Sequence, residues 1–488
     1  MRKIFLIVFA IASPLMAQDN VFLDKDFWNT KPSIETIDLK IKEGNDIAQA
    51  NASNFDGVTQ AILTDAPNAS IEYVISKKGN DVNKLTHDGR TYIFWAAYRG
   101  NLELVKYLLA NGAKTNITDD KGSSILNFAA SSGQSNTKIY DELIAHGADL
   151  KKDLTPSGAN ALLLIAPHAT NFDLLNYFTS KGLDLKSTDA DGNNIFNYAA
   201  KTGNISLMKQ LLDKGIKGND QAFVFASQGM RGKTNGLEVY KFLESSGLNP
   251  TSVSKDGETA LHALASGSKD LAVINYFLDK GADVNQADAL GNTPFMNASK
   301  QNNLEIVSLF AKKVQDVNHT NKKGESALSL ALANNKADVV AFLLDHKAST
   351  SVIDKEGNDL TPYLMQSYSS KTEADFKQKL ALLEKQGFSF GKPQANGNTL
   401  YHLALDKNNL EILKFIEQFS SDVNAKNKEG MTPLHKAALK AHDTEILKYL
   451  VAHGAKIDVP TDFDETAYDL ASENELLLTQ KVSLDFLK

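Results

Sequence analysis

Ten histidines and no cysteine bound the chemistry open to this 488-residue chain. Without a thiol there is no thiolate nucleophile, no thiolate metal ligand and no disulfide. The histidines recur in register: His262, His402 and His435 each follow a glycine–x–threonine step, and His146, His346 and His453 stand near the ends of apolar helical runs. No two share the i, i+4 spacing that aims a pair of imidazoles at one metal ion, so they read as structural. Gly232-Lys-Thr234 imitates a phosphate loop, but Ser227 stands where its first glycine belongs, and Gln221 to Ser227 reads as a short helix rather than a strand. Asp119 and Asp120 read as solvated turn carboxylates, and no nucleophile elbow accompanies the many Ser, His and Asp residues. No catalytic residue, cofactor or metal is assigned, and the chain reads as non-enzymatic.

The elements that carry these residues repeat. Gly57, Gly89, Gly122, Gly158, Gly192, Gly257, Gly291, Gly324, Gly357, Gly397 and Gly430 are mostly 32 to 36 residues apart, with one gap of 40 and one of 65 around Asp220. A period near 33 means an array whose units bury their apolar faces only by stacking on neighbours. The glycine supplies positive φ in a tight turn. Thr293 and Thr432 follow as N-caps, with Pro294 and Pro433 at the first helical position. A short alanine-bearing helix comes next, as in Trp95-Ala96-Ala97. A second helix follows with apolar residues at helical spacing, such as Leu102, Val105, Leu108 and Leu109, and it usually ends on a C-capping glycine such as Gly112, Gly281 or Gly454. Val314, Lys347 and Ser420 replace that glycine in three units.

Gly430-Met-Thr-Pro-Leu-His-Lys-Ala-Ala438, Gly257-Glu-Thr-Ala-Leu-His-Ala-Leu264, Gly291-Asn-Thr-Pro-Phe295 and Gly281-Ala-Asp-Val-Asn285 together resemble the ankyrin repeat over about residues 57–463. The resemblance implies an all-α ankyrin-type α-solenoid of about twelve helix–turn–helix repeats, joined by short β-turn or hairpin loops and closed by terminal caps. It also implies that the Thr-Pro-Leu-His histidine hydrogen-bonds neighbouring turns. Residues 18–56 read as an N-terminal capping repeat, with Ile34 to Ala52 as one longer helix, 57–463 as the array and 464–488 as C-terminal capping helices.

Residues 1–17 read as a cleavable secretory signal: Arg2 and Lys3, an apolar run from Ile4 to Ala12, then Pro14-Leu-Met-Ala17 before a polar stretch. The alternative is an uncleaved anchor. Cleavage after Ala17 would place the chain outside the cytoplasm, in the bacterial periplasm by this reading. The formal charge of −7 would then become −9 through loss of Arg2 and Lys3, a balance opposed to nucleic-acid binding. No other stretch is long and apolar enough for membrane insertion, and a monomer is expected.

If the family geometry holds, turn tips and the outward side of each first helix line a concave face that binds another protein. The positions assigned to it are His87, Asp88, Arg90, Tyr98 and Arg99; Lys255, Asp256, Glu258 and Ser266; Leu290, Asn292, Lys300 and Gln301; and Lys428, Glu429, Met431, Leu439 and Lys440. The first group combines a tyrosine with two arginines, the residue types in which binding energy concentrates. Extra residues at 131–137, 228–236 and 367–379 are either recognition loops or drift at tolerant turns. The expected function is a protein-binding scaffold, inhibitor or stabiliser; the alternative is an envelope spacer or a small-ligand or glycan-binding solenoid.

Overall fold

The computed structural model describes residues 20–230, 232–419 and 421–488; the segment 1–17 read above as a secretory signal and Ser420 lie outside the described residues. Among these residues the regular structure is helical, with isolated antiparallel bridges such as Thr118–Ser124 and Thr320–Ser326 closing hairpin turns. The chain divides into two compact units, with the boundary after Phe225 in the helix Ala222–Gln228.

The first unit opens with the pair Lys25–Asn29 and Ile34–Lys42. Five pairs follow: Gly57–Leu63 with Asn68–Ile75, Tyr92–Arg99 with Leu102–Ala110, Ile125–Ser131 with Thr137–Ala145, Ala161–Ile165 with Asp173–Ser180, and Ile195–Ala200 with Ile205–Asp213. First helices pack on first helices of the next pair, and second helices on second helices. The division of labour follows from pattern. Tyr92 to Ala97 are all buried, so that first helix is core on nearly every side. Leu102–Ala110 buries only Leu104, Val105, Leu108 and Leu109, one stripe, and leaves the rest to water. The joint between the first two of these pairs is polar: buried Asp56, which caps Gly57–Leu63, accepts from Tyr92 Oη at 2.7 Å and pairs with Lys84 Nζ at 2.8 Å.

Two expectations are corrected in this unit. The helix expected over Ile34 to Ala52 ends at Lys42, where Gly44 takes φ 97° and the Asn45 side chain bonds Lys40 O at 2.9 Å. Gly57 is not a turn glycine. It is the first residue of its helix, capped by Asp56, and Asn54 with φ 59° holds the left-handed position instead.

The second unit begins with the remainder of Ala222–Gln228 and Leu237–Ser245. It continues with Ala260–Gly267 and Leu271–Asp279, Pro294–Gln301 and Leu304–Ala311, Ala327–Asn334 and Ala337–Asp345, Leu360–Gln366 and Glu373–Lys385, Leu400–Leu405 and Leu410–Ile416, and Pro433–Lys440 and Glu445–Ala452. The terminal pair is Ala467–Glu473 with Glu475–Gln480, the latter ended by Lys481 in a left-handed conformation. Twelve pairs thus lie between the terminal ones among the described residues.

Successive turns in this unit are linked by main-chain hydrogen bonds. Ala289 N–H donates to Asp256 O at 2.6 Å, Lys322 to Leu290 at 2.8 Å, Lys355 to Lys323 at 2.8 Å, Ala395 to Gly357 at 3.2 Å and Lys428 to Asn396 at 2.8 Å. The approach demands glycine: a Cβ at Gly324, where φ is 81°, would sit 2.8 Å from Asp354 Cα. At the other end of several repeats an asparagine spans the step. Asn318 Nδ2 donates to Lys347 O at 3.4 Å while its Oδ1 accepts Ser349 N–H at 2.7 Å, and Asn424 does the same to Gly454 and Lys456 at 2.8 Å each. Lys347 adopts φ 65°, so a non-glycine fills the C-cap without ending the pattern.

The 367–379 insertion is only half a loop. From Glu373 it adds turns to a 13-residue helix. Asp375 Oδ1 accepts the N–H of Ala337 at 2.8 Å, capping the preceding second helix from outside, and Lys379, buried beside Asp375 at 2.9 Å, donates to Leu332 O at 3.2 Å.

Candidate partner-binding surface

The surface under test lies between the turn tips and the first helices, and its geometry begins with what caps those helices. In the second unit Thr259, Thr399 and Thr432 donate their N–H to Nδ1 of His262, His402 and His435 at 3.1, 3.2 and 3.0 Å. An Nδ1 that accepts leaves Nε2 to donate, and it does so to Asn292 O, Met431 O and Val459 O at 3.2, 3.0 and 2.8 Å. Both nitrogens are therefore engaged, Nδ1 within its own cap and Nε2 across a repeat boundary, and burial lowers all three pKa values. Among the described residues no cluster of three or more His, Asp or Glu side chains is placed to hold a metal ion.

In the first unit the same face is aromatic. The His87 ring stacks on Phe55 with centroids 4.3 Å apart, Trp95 meets Phe128 edge-on at 5.7 Å, and Tyr98 leans on Phe128 at 5.9 Å. Arg90 lies within this strip, its guanidinium 4.2 Å from the Phe128 centroid. Its Nε and Nη2 reach Asp119 at 2.9 and 2.8 Å, and Nη1 reaches Asp88 at 3.0 Å. Arg90 is only 7% exposed, so its assignment to the partner-binding set is corrected. The next repeat supplies both the ring that covers it and the carboxylate that neutralises it. His87, Asp88 and Arg90 form one connected group. Lys121 joins it at 2.7 Å from Asp88, while His87 Nδ1 bonds Ser53 O at 2.8 Å. Tyr98 is half-buried against Phe128. Arg99 stands apart on the exposed end of its helix, paired with Asp65.

The second-unit positions fare differently. Lys255, Asp256, Glu258, Lys300, Gln301, Lys428, Glu429, Leu439 and Lys440 are exposed, and Leu290 is 65% exposed at a turn tip. Asn292 is half-buried and contributes its Oδ1 to Asn321 Nδ2 at 2.9 Å. Met431 is half-buried, with its carbonyl taken by His402. Ser266 is half-buried, and Lys440 shares Asp406 with Lys436.

Sequence reasoning missed the aromatic strip of Phe55, Trp95 and Phe128. The signal was available: Trp95, Phe128 and Tyr198 each stand six residues after a turn glycine, where the second unit has Ala263, Asn297 and Lys436.

Known proteins bear on this geometry. The family model described as "Ankyrin repeats (3 copies)" matches residues 59–153, 223–321, 261–354 and 295–374; "Ankyrin repeats (many copies)" matches 416–471 and "Ankyrin repeat" matches 396–428. The ankyrin repeat protein FPV230 of Fowlpox virus is 26% identical over 159 residues, covering 30% of this chain and 82% of the viral protein. Alpha-latroinsectotoxin-Lt1a of Latrodectus tredecimguttatus is 24% identical over 315 residues, 62% of this chain but 22% of the toxin. Protein phosphatase 1 regulatory subunit 12A of Mus musculus is 36% identical over 81 residues, 17% of this chain and 8% of that protein. With these matches falling on the same turns, caps and helix pairs, the chain belongs to the ankyrin repeat family.

Proposed function

We propose that the chain is a non-enzymatic scaffold, inhibitor or stabiliser that binds another protein through the exposed positions between its turns and first helices. The observation that carries this reading is the separation of duties within each repeat. Glycine, threonine, histidine and asparagine are consumed by the joints between repeats, while Leu290, Lys300, Gln301, Lys428, Leu439 and Lys440 stand exposed between those joints. An exposed leucine flanked by polar residues is the composition of an interface anchor with its rim.

The N-terminal signature supports export to the bacterial periplasm by signal cleavage after Ala17. The test has two parts. Fractionation with N-terminal sequencing should give an envelope protein beginning at Gln18. Tagged mature chain should recover a stoichiometric partner, and Leu290→Asp with Leu439→Asp should abolish that recovery while leaving thermal stability unchanged. Equal recovery by the doubly substituted chain would overturn the placement of the interface, and recovery of no partner would overturn the scaffold reading.

A further inference from the structure

The last pair of the second unit carries apolar surface where a repeat facing only water would be polar. Among the described residues Phe463 is the most exposed large apolar side chain, at 82%, and Leu476 and Leu478 of the terminal helix are exposed as well. Phe463 stands on an ordered turn. The hydroxyl of buried Thr461 accepts the N–H groups of Phe463 and Glu465 at 3.2 and 3.3 Å. Thr461 N–H donates to Glu465 O at 2.8 Å, and Asp464 closes the turn at φ 62°. The ring is thus presented as a peg whose backbone loses little freedom on docking. Exposed Asp462 and Asp464 flank it, the former 3.9 Å from Lys426.

Beside this peg lies an open pocket of about 680 Å³, walled by Ile457, Tyr468 and Leu487. Lys456 and Lys488 stand exposed at its rim, with Asp458 as the opposing carboxylate. Lys488 is held by Asp485 at 2.8 Å and lies 5.1 Å from the Tyr468 centroid, whereas the Lys456 amine makes no ion pair or hydrogen bond among the described residues. Thr466 borders the pocket three residues after Phe463, so peg and pocket are within about 11 Å along the chain. A cavity of about 150 Å³ already holds a benzene ring, so a phenyl group has room here. An acid-flanked ring and a lysine-rimmed apolar pocket on one pair complement each other, which is what a two-fold contact between identical surfaces requires.

We propose that the terminal pair is a self-association surface. Two copies of the chain join through it about a two-fold axis, each seating Phe463 in the pocket of the other, with Asp462 and Asp464 meeting Lys456 and Lys488. The monomer expected from the sequence then describes only the dilute chain.

The experiment is sedimentation equilibrium of the purified full chain between about 1 and 100 μM, where a monomer–dimer equilibrium is expected. Phe463→Asp should weaken the dimer about thirtyfold or more, the measure of a hot-spot truncation, and leave the melting temperature of the monomer unchanged because the ring is exposed. Lys456→Glu should weaken the dimer too, and adding Asp464→Lys should restore it, because the exchanged charges meet only between copies. A chain that stays monomeric throughout, a dimer that Phe463→Asp leaves intact, or a charge-exchanged chain no tighter than Lys456→Glu would overturn the proposal.

Discussion

The two units solve the same stacking problem with different materials. The second relies on backbone and small polar groups: five consecutive turn-to-turn hydrogen bonds and three threonine–histidine caps. Among the described residues the first has only two such turn bonds, Asp120 to Asp88 and Ala190 to Ser157, both at 2.9 Å. Pro156, which has no N–H to donate, occupies the equivalent position between them. There the aromatic strip and the Arg90 network supply the cohesion. The family match shows the same contrast, since it lapses between residues 153 and 223, where Pro156, the Ala166–His168 turn and the missing turn glycine lie. A repeat can thus lose its consensus and keep its fold when side-chain bulk replaces main-chain linkage.

The largest effect that could break this comparison is expected at Trp95, which is 5% exposed. Trp95→Ala should cost about 3–5 kcal/mol, the usual loss for a buried aromatic. Hydrogen exchange should show faster opening across residues 86–131 and none in the second unit. Loss of protection in both units would mean that the aromatic strip is not a local device.

Next comes glycine. Gly324→Ala should cost about 2–4 kcal/mol by chemical denaturation, because positive φ is strained for an L-residue and its Cβ collides with main chain. Gly281, at φ 88° with nothing within 4 Å, should lose only about 1 kcal/mol on the same change. Equal losses would show that conformational strain alone accounts for the glycine requirement and that the close approach contributes nothing.

A pH series sharpens the contrast further. Because burial lowers the pKa of His262, His402 and His435, the unfolded chain takes up protons more readily than the folded one. Their contribution is complete above the ordinary imidazole range near 6.5 and declines as pH falls through it. Hydrogen exchange between pH 7.5 and 5 should show the second unit weakening more than the first, whose equivalent positions are Phe94, Asn127, Leu163 and Asn197. His402→Asn should flatten the decline around its own repeat. Smallest of all, Arg99→Ala should change stability by less than about 1 kcal/mol in thermal melts, since its pair with Asp65 is exposed.

Much of this was legible in the sequence because one position recurs in one environment. Gly291, Thr432, Pro433 and His435 each declare a backbone role that repeats elsewhere, so the fold could be read from any copy. Arg90 could not be placed, since its burial depends on Phe128 and Asp119 in the next repeat rather than on its own neighbours. Gly57 misled because Asn54 had taken the left-handed place three residues earlier. The insertion at 367–379 looked like a loop because the cap it donates, Asp375 to Ala337, spans 38 residues. Local pattern specifies what a repeat is made of; contacts between unlike repeats decide what remains at the surface.

Pro156 has a mechanical corollary. Under tension applied to the first unit, the junction between Lys121 and Pro156 holds no transverse main-chain bond to resist shear, so it should yield before the bonded junctions Asp88–Asp120 and Ser157–Ala190. A single-molecule pulling trace would register it as an earlier and weaker rip than theirs.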